Sequence, residues 1–310
     1  MTVAWWAWPA VITFILAMLA VDLLFFHREA HEVSLREAAT WSGIWVAISL
    51  AFGAIVWATL GGQAAGEYIA GYVIEKSLSV DNLFVFALLL SYFAVPIAYQ
   101  HRLLYWGVIG ALVARGAFIF AGAALIETFH WMIYVFGALL VITGARMASR
   151  HDTELHPEHN PVLNALRKVV PITDDYVGQR FFVRRDGRRW VTPMLAVLVV
   201  IETTDIVFAI DSILAVFAVT RNTFLVFTSN AFAILGLRAL YFLIAGFLGR
   251  LRYLDFGLAA VLVFVGAKML LTDVLHVPIW ASLLVITLLI GTAVVASLRK
   301  EAAMRDRDAT

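Results

Sequence analysis

Not one of the 310 residues is a cysteine, which excludes disulfide frameworks, thiolate nucleophiles and Cys-ligated zinc or iron–sulfur sites. Charge is also scarce: Asp, Glu, Lys and Arg make up 15% of the chain, against about 25% in ordinary soluble domains. The formal net charge is +1, so overall electrostatics give no reason to expect a nucleic-acid partner. No Gly-rich loop followed by Lys and Ser or Thr is present, and ATP hydrolysis is therefore not expected as an energy source. Nor is there a Ser/His or metal–His arrangement of the kind an intramembrane hydrolase needs. The expectation is a protein that is not an enzyme and holds no cofactor.

What the chain has instead is apolar length. Hydrophobic residues make up 62% and mean hydropathy is +0.88, values that rule out a water-soluble enzyme. A bilayer-spanning helix needs roughly 20 apolar residues, and nine such segments are predicted, at 7–27, 40–60, 67–93, 103–127, 131–149, 191–220, 222–248, 253–272 and 278–298. The fold class is an all-α polytopic membrane protein, with the lipid bilayer as its first partner. The first segment opens on Trp5, Trp6, Trp8 and Pro9 without a preceding basic region, which reads as a retained helix with an interfacial aromatic anchor rather than a cleaved signal. Of the Lys and Arg residues, 17 fall on one side, Arg221 alone on the other, and five (Lys76, Arg115, Arg146, Arg238, Lys268) inside spans. The positive-inside rule then places the amino terminus outside and the carboxyl terminus in the cytoplasm.

Compared with itself, the chain repeats. Leu78–Leu83 matches Phe208–Ile213 at an offset of 130 residues, which also sets Glu75 on Asp205. Further on, Arg115 matches Arg238 at offset 123, and Gly144-Ala145-Arg146-Met147 matches Gly266-Ala267-Lys268-Met269 at offset 122. Each copy holds three spans, an odd number, so the second must be inverted relative to the first, as in many secondary transporters. The expected organisation is an N-terminal transmembrane hairpin (1–62), a first three-helix repeat (63–149), a cytosolic loop (150–190), a second, inverted repeat (191–272), and a final helix with a cytosolic tail (273–310).

Five carboxylates lie within spans: Glu75 and Asp81 on the third, and Glu202, Asp205 and Asp211 on the sixth. An Asp at the centre of a spanning helix costs about 2.5–3.5 kcal/mol on insertion scales, so these side chains should face protein or a water cavity. They outnumber the central bases Lys76, Arg115 and Arg238, of which Arg115 and Arg238 are expected to neutralise the empty site. Ser77, Ser79, Asn82, Thr203, Thr204 and Ser212 add uncharged oxygen donors nearby. Such a donor set suits hard divalent cations, magnesium, calcium or manganese, over zinc or copper, which recruit Cys or His. Glu75 to Asp81 and Asp205 to Asp211 are each six apart, about 120° around and about 9 Å along an ideal helix. From this spacing we expect both helices to be unwound between their acids, so that carboxylates and freed carbonyls converge near the midplane. Protons would compete for the same carboxylates, making proton antiport an attractive coupling.

Two further clusters read as solvated polar surface: His151, His156 and His159 with neighbouring acids in the long loop, and His27 and His31 at the end of the first span. Glu67 and Glu127 fall near the outer mouth, and Gly62 with Gly66 forms a small-xxx-small pair that hints at close helix packing.

On residues 71–82, GYVIEKSLSVDN, and 201–212, IETTDIVFAIDS, the chain resembles the TerC/Alx family of integral membrane proteins, over about residues 40–298. The resemblance implies manganese(II) export across the cytoplasmic membrane, with manganese as transported substrate rather than cofactor. It carries metal-handling roles onto Glu75, Asp81, Glu202, Asp205 and Asp211, with Asn82 and Ser212 as motif neighbours. Tellurite, the oxyanion in the family's name, is disfavoured by the acidic membrane centre. Two functions stand side by side: a secondary transporter exporting manganese(II), and a non-transporting scaffold that hands metal to exported proteins.

Overall fold

The computed structural model describes residues 3–26, 35–129, 131–149, 165, 168, 170–173, 175–185, 187–245, 253–274 and 277–308. In order these form α1 (Ala7–Phe26), α2 (Leu35–Leu60), α3 (Gly62–Tyr92), α4 (Ile97–Thr128), α5 (Met132–Ser149), a hairpin of β1 (Phe182–Arg185) and β2 (Arg188–Val191), then α6 (Pro193–Phe217), α7 (Thr223–Ile234), α8 (Leu237–Ala245), α9 (Leu254–Leu270) and α10 (Ile279–Asp308). A helix stands at each of the nine expected segments, the seventh as the bent pair α7 and α8. By length and apolarity five of the described helices can cross a membrane, α2, α4, α5, α6 and α10, or six if the bent pair counts as one span. The intramembrane charges of α3 and the shorter apolar stretches of α1 and α9 keep those three outside that set. Large apolar side chains such as Trp57, Val113, Trp131 and Val207 point outward, the surface a lipid solvent accepts.

Local sequence explains most helix ends. Pro96 precedes α4, Pro193 occupies the first turn of α6 where its missing N–H is not needed, and the Asn222 side chain caps α7 by accepting from the Phe224 amide at 3.1 Å. The expected interruption of the third and sixth spans is absent: α3 and α6 are helical throughout, so that reading is corrected. The break falls in the seventh span instead, a bend of 41° between α7 and α8. Gly236, at φ +82°, makes the turn there and packs against the Trp45 indole of α2, a conformation and a fit that both favour a residue without Cβ. In a continuous helix the Ala233 carbonyl would accept the Leu237 amide. The bend ends that register, and Lys76 of α3 donates its ammonium to the Ala233 carbonyl at 3.1 Å. A cation at a helix carboxyl end also complements the backbone dipole. Lys76 thus serves the helix break rather than the acids beside it in sequence.

α5 and α9, the third helices of the expected repeats, cross antiparallel through glycines. A Cβ on Gly266 would come within 2.7 Å of the Gly137 carbonyl, and one on Gly144 within 2.7 Å of the Ala259 carbonyl. Under the sequence offset of 122, Gly137 corresponds to Ala259 and Gly144 to Gly266, so these two contacts exchange. Such reciprocity is the contact pattern of an isologous two-fold pairing. Gly66 packs against Ile279 of α10, an intramolecular use for the small-residue pair.

The helix ends sort into two faces. At one, the start of α3, the ends of α4, α6 and α9 and the start of α5 surround a cavity of about 390 Å³ bordered by Gln63, Glu67, Phe217, Thr220, Arg221 and Lys268. At the other lie the α3–α4 connection, the β-hairpin, Tyr253 and Lys300. Replacing Gly266 with valine should lower stability by roughly 1–3 kcal/mol through overpacking against backbone, whereas Gly291→Ala, which has nothing within 4 Å, should stay within about 0.5 kcal/mol of wild type; thermal unfolding in detergent compares them.

Candidate functional site

At the centre of the bundle, Arg115 of α4 reaches between α3 and α6. Its Nη1 donates to Glu75 Oε1 and to Ser212 Oγ at 3.1 Å, while Nε and Nη2 hold the Asp205 carboxylate in a bidentate grip at 3.3 and 3.1 Å. Arg115 is 1% exposed, Glu75 0% and Asp205 3%. Two acids predicted from equivalent positions of the repeats therefore meet on one guanidinium, the side chain whose planar fork best matches carboxylate geometry. Ser79, one turn beyond Glu75, donates to Glu75 Oε1 at 3.2 Å. The second carboxylate oxygen, Glu75 Oε2, is buried with no hydrogen-bond partner among the described residues.

The remaining expected residues are placed less uniformly. Ser212 is buried within reach of Arg115. Asn82 is buried on α3 with its Nδ2 lacking a partner among the described residues. The backbone of Asp81 continues α3, but its side chain lies outside the described residues. Glu202 and Asp211 are half-buried on α6, and neither forms an ion pair with Arg115; Asp211 neighbours Thr143 of α5. Glu202 rests against Gly110 of α4, where any Cβ would run into its carboxylate. That glycine was not singled out in the sequence, where an apolar segment gives no sign of which small residue meets a charge. The clusters around His151, His156, His159 and around His27, His31 lie outside the described residues.

Three hydroxyls expected to enlarge the ligand set turn back to their own helices: Ser77 donates to the Val73 carbonyl at 2.7 Å, Thr203 to Val199 at 2.8 Å and Thr204 to Val200 at 2.7 Å. This is the ordinary behaviour of Ser and Thr inside apolar helices. Among the described residues, no three His, Asp or Glu side chains stand close enough together to hold a metal ion. With Arg115 in place, one guanidinium balances only one of the two converged carboxylate charges.

The larger cavity stops short of the ion triad: none of Glu75, Arg115, Asp205 or Ser212 borders it. On the hairpin side, Asp205 and Arg238 border a hollow of about 10 Å³ walled by Leu83, Phe86, Leu104 and Leu237, too small for more than one water. On the opposite side the 390 Å³ cavity begins at Glu67, eight residues and so about 12 Å before Glu75 along α3. There the Glu67 carboxylate accepts from Thr220 at 2.6 Å and from Gln63 at 3.1 Å, and Lys268 donates to Ser282 at 3.0 Å. Glu127, the other acid expected at this mouth, is exposed.

The sequence profile of the family described as Integral membrane protein TerC matches residues 60–306. An uncharacterised membrane protein, STKORF319, of Myxococcus xanthus is 48% identical over 293 residues, covering 94% of this chain and 92% of that protein. In Escherichia coli strain K12, a protein named as a candidate membrane-bound redox modulator, Alx, is 46% identical over 285 residues, covering 89% of each. An uncharacterised membrane protein of Rickettsia bellii is 35% identical over 295 residues, covering 95% and 98%. No solved structure matches the chain.

Removing one member of a buried ion triad strands the others. Arg115→Met should therefore cost roughly 3–5 kcal/mol of stability, and combining it with Glu75→Gln and Asp205→Asn should recover most of that loss. Unfolding midpoints of the single and triple variants in one detergent check the pairing.

Proposed function

We propose, from the premise that this chain belongs to the TerC family of integral membrane proteins, that it is a secondary transporter exporting manganese(II) across the cytoplasmic membrane. The observation that carries this reading is the meeting of Glu75 and Asp205, from two oppositely inserted helices, on a single buried guanidinium. A buried pair of carboxylates needs a cation. Arg115 is a tethered one, and a divalent ion is the mobile alternative.

In this mechanism the ion enters a site whose charge Arg115 has been holding. As Arg115 withdraws, Glu75 and Asp205 are freed for the metal, and Asp81, Asn82, Glu202 and Ser212 lie on the same two helices to complete an oxygen shell. Asp211, one and a half turns beyond Asp205, offers the next carboxylate along α6. Hard oxygen donors without Cys or His favour manganese(II), magnesium and calcium over softer metals. The Glu67 cavity, which stops short of the acids, supports a path from that face once the helices move, as alternating access requires. The positive-inside rule, read on the loop charges, favours that face as the exterior, and release of the ion would then pass through this cavity. Protons that reach the emptied carboxylates on that side would make the return step an antiport.

The name of the Escherichia coli relative points to redox modulation. A chain without cysteine has no thiol to exchange, so a redox effect of this protein would follow from the metal it moves. The competing function, a scaffold that delivers metal without transporting it, predicts no flux.

Reconstituted alone in sealed proteoliposomes, the wild-type protein should carry manganese(II), faster when a pH gradient opposes the ion. Glu75→Gln, Asp205→Asn, Asp81→Ala and Asp211→Ala should each lower the initial rate at least about tenfold, the scale of losing one well-placed charged ligand. Equal flux in wild type and variants overturns the site, and no flux in wild type favours the scaffold.

A further inference from the structure

The β-hairpin carries a conflict that no other described residue resolves. Its register sets Arg184 directly opposite Arg189, and Arg185 opposite Arg188, around the turn at Gly187. Like charges facing across antiparallel strands destabilise a ladder, and an isolated two-stranded hairpin is marginal even without them. Among the described residues no carboxylate pairs with Arg184, Arg188 or Arg189, and all three side chains are exposed. Arg180, also exposed, adds a fifth positive charge a few residues before β1.

The hairpin is nevertheless held firmly. Tyr176 donates to the Phe93 carbonyl at 2.7 Å, Gln179 to Ala98 at 3.1 Å and Thr192 to Arg180 at 2.5 Å, and Arg102 of α4 stacks 5.1 Å from the Phe181 ring centroid. Burial pushes the Tyr176 phenol above its ordinary pKa, so it remains a hydrogen-bond donor through neutral pH. Ile172 bridges to Val191. These contacts anchor the base of the hairpin to the α3–α4 connection and leave its tip to solvent. β2 then runs through Thr192 straight into Pro193, the first residue of α6. Arg188 is five residues from that helix end, at most about 17 Å of extended chain, which keeps it within about two or three headgroup-layer depths of the helix end. Phe182, 59% exposed, shares a strand face with Arg184, an aromatic beside a cation as interfacial anchors often are.

We propose that the hairpin tip is a binding surface for anionic phospholipid headgroups of the leaflet it faces. The headgroup phosphates supply counter-charge to Arg184 and Arg189 on one face of the ladder and to Arg188 on the other, where the described residues offer none. A rigid, preorganised arginine fork binds phosphate bidentately, and the membrane surface concentrates that anion where the hairpin lies. The inference is independent of the transported substrate, and its test uses a different readout.

The test titrates phosphatidylglycerol against the purified full chain in zwitterionic detergent and counts bound lipid by native mass spectrometry. Wild type should retain phosphatidylglycerol in preference to phosphatidylcholine and lose it as salt rises. With each interfacial arginine worth roughly fivefold in affinity, the triple variant Arg184→Gln, Arg188→Gln, Arg189→Gln should bind about a hundredfold more weakly. The corresponding triple lysine variant, which keeps the charge, should stay within about tenfold of wild type and shows that the hairpin tolerates replacement. Millimolar inorganic phosphate should not displace the lipid. Undiminished binding by the glutamine variant, equal retention of phosphatidylcholine, or displacement by free phosphate would each overturn the proposal.

Discussion

A guanidinium buried between two carboxylates from different helices organises this protein. Arg115, Glu75 and Asp205 lie in a region that would exclude any one of them alone, because an uncompensated charge in a low-dielectric interior costs several kcal/mol. Their mutual pairing lets α3, α4 and α6 pack through the middle of the bundle. The surrounding fit follows from that need. Gly110 leaves room for Glu202 on the same helix pair, and Gly71 lets α3 approach Ser229 of α7. The break in the seventh span gives Lys76 a carbonyl to hold, taking that second cation away from the acids.

Under the proposed function, this arrangement connects stability to transport. A permanent ion triad would make a structural pin, whereas carboxylates shared with a displaceable side chain make a site that can be emptied without leaving bare charge in oil. Transport of a cation between two faces needs such a stand-in, since the empty carrier must also reorient. Burial of Glu75 Oε2 without a partner among the described residues leaves its hydrogen bonding incomplete there, and an incompletely satisfied carboxylate is a place where a further ligand is favoured. The two ends of the molecule differ correspondingly, one holding a cavity of several hundred Å³, the other apolar walls that leave no room for more than a water.

The acids were legible in the sequence because a charge inside a long apolar run is costly wherever the chain folds, and their recurrence at an offset of 130 aligned Glu75 with Asp205 as equivalent positions. Arg115 was legible as a neutraliser for the same reason. Which of five acids it would hold was not, because α6 is far from α4 along the chain and the phase of each helix against its neighbours, α3 included, depends on packing. The expected unwinding of α3 and α6 failed on a related point. Spacing along one helix says that two acids cannot share a face, but it does not say that they must; Asp205 serves Arg115 while Asp211 faces α5, and both helices stay intact. The hairpin at 182–191 falls within the segment expected as a cytosolic loop, 150–190, although its Asp-Gly step is a turn signal.

Composition and periodicity thus determined the membrane class, the helix positions and the candidate charges, since these answer to the solvent around each segment and need no knowledge of partners. Tertiary structure decided which charges meet, where a helix breaks and which end stays open. Those outcomes depend on distances between residues that are 40 to 160 positions apart in the chain, as with Arg115 and Glu75 at a separation of 40, or Lys76 and Ala233 at 157. Only the packed bundle sets such distances, because only there do the backbones approach closely enough for one side chain to answer another.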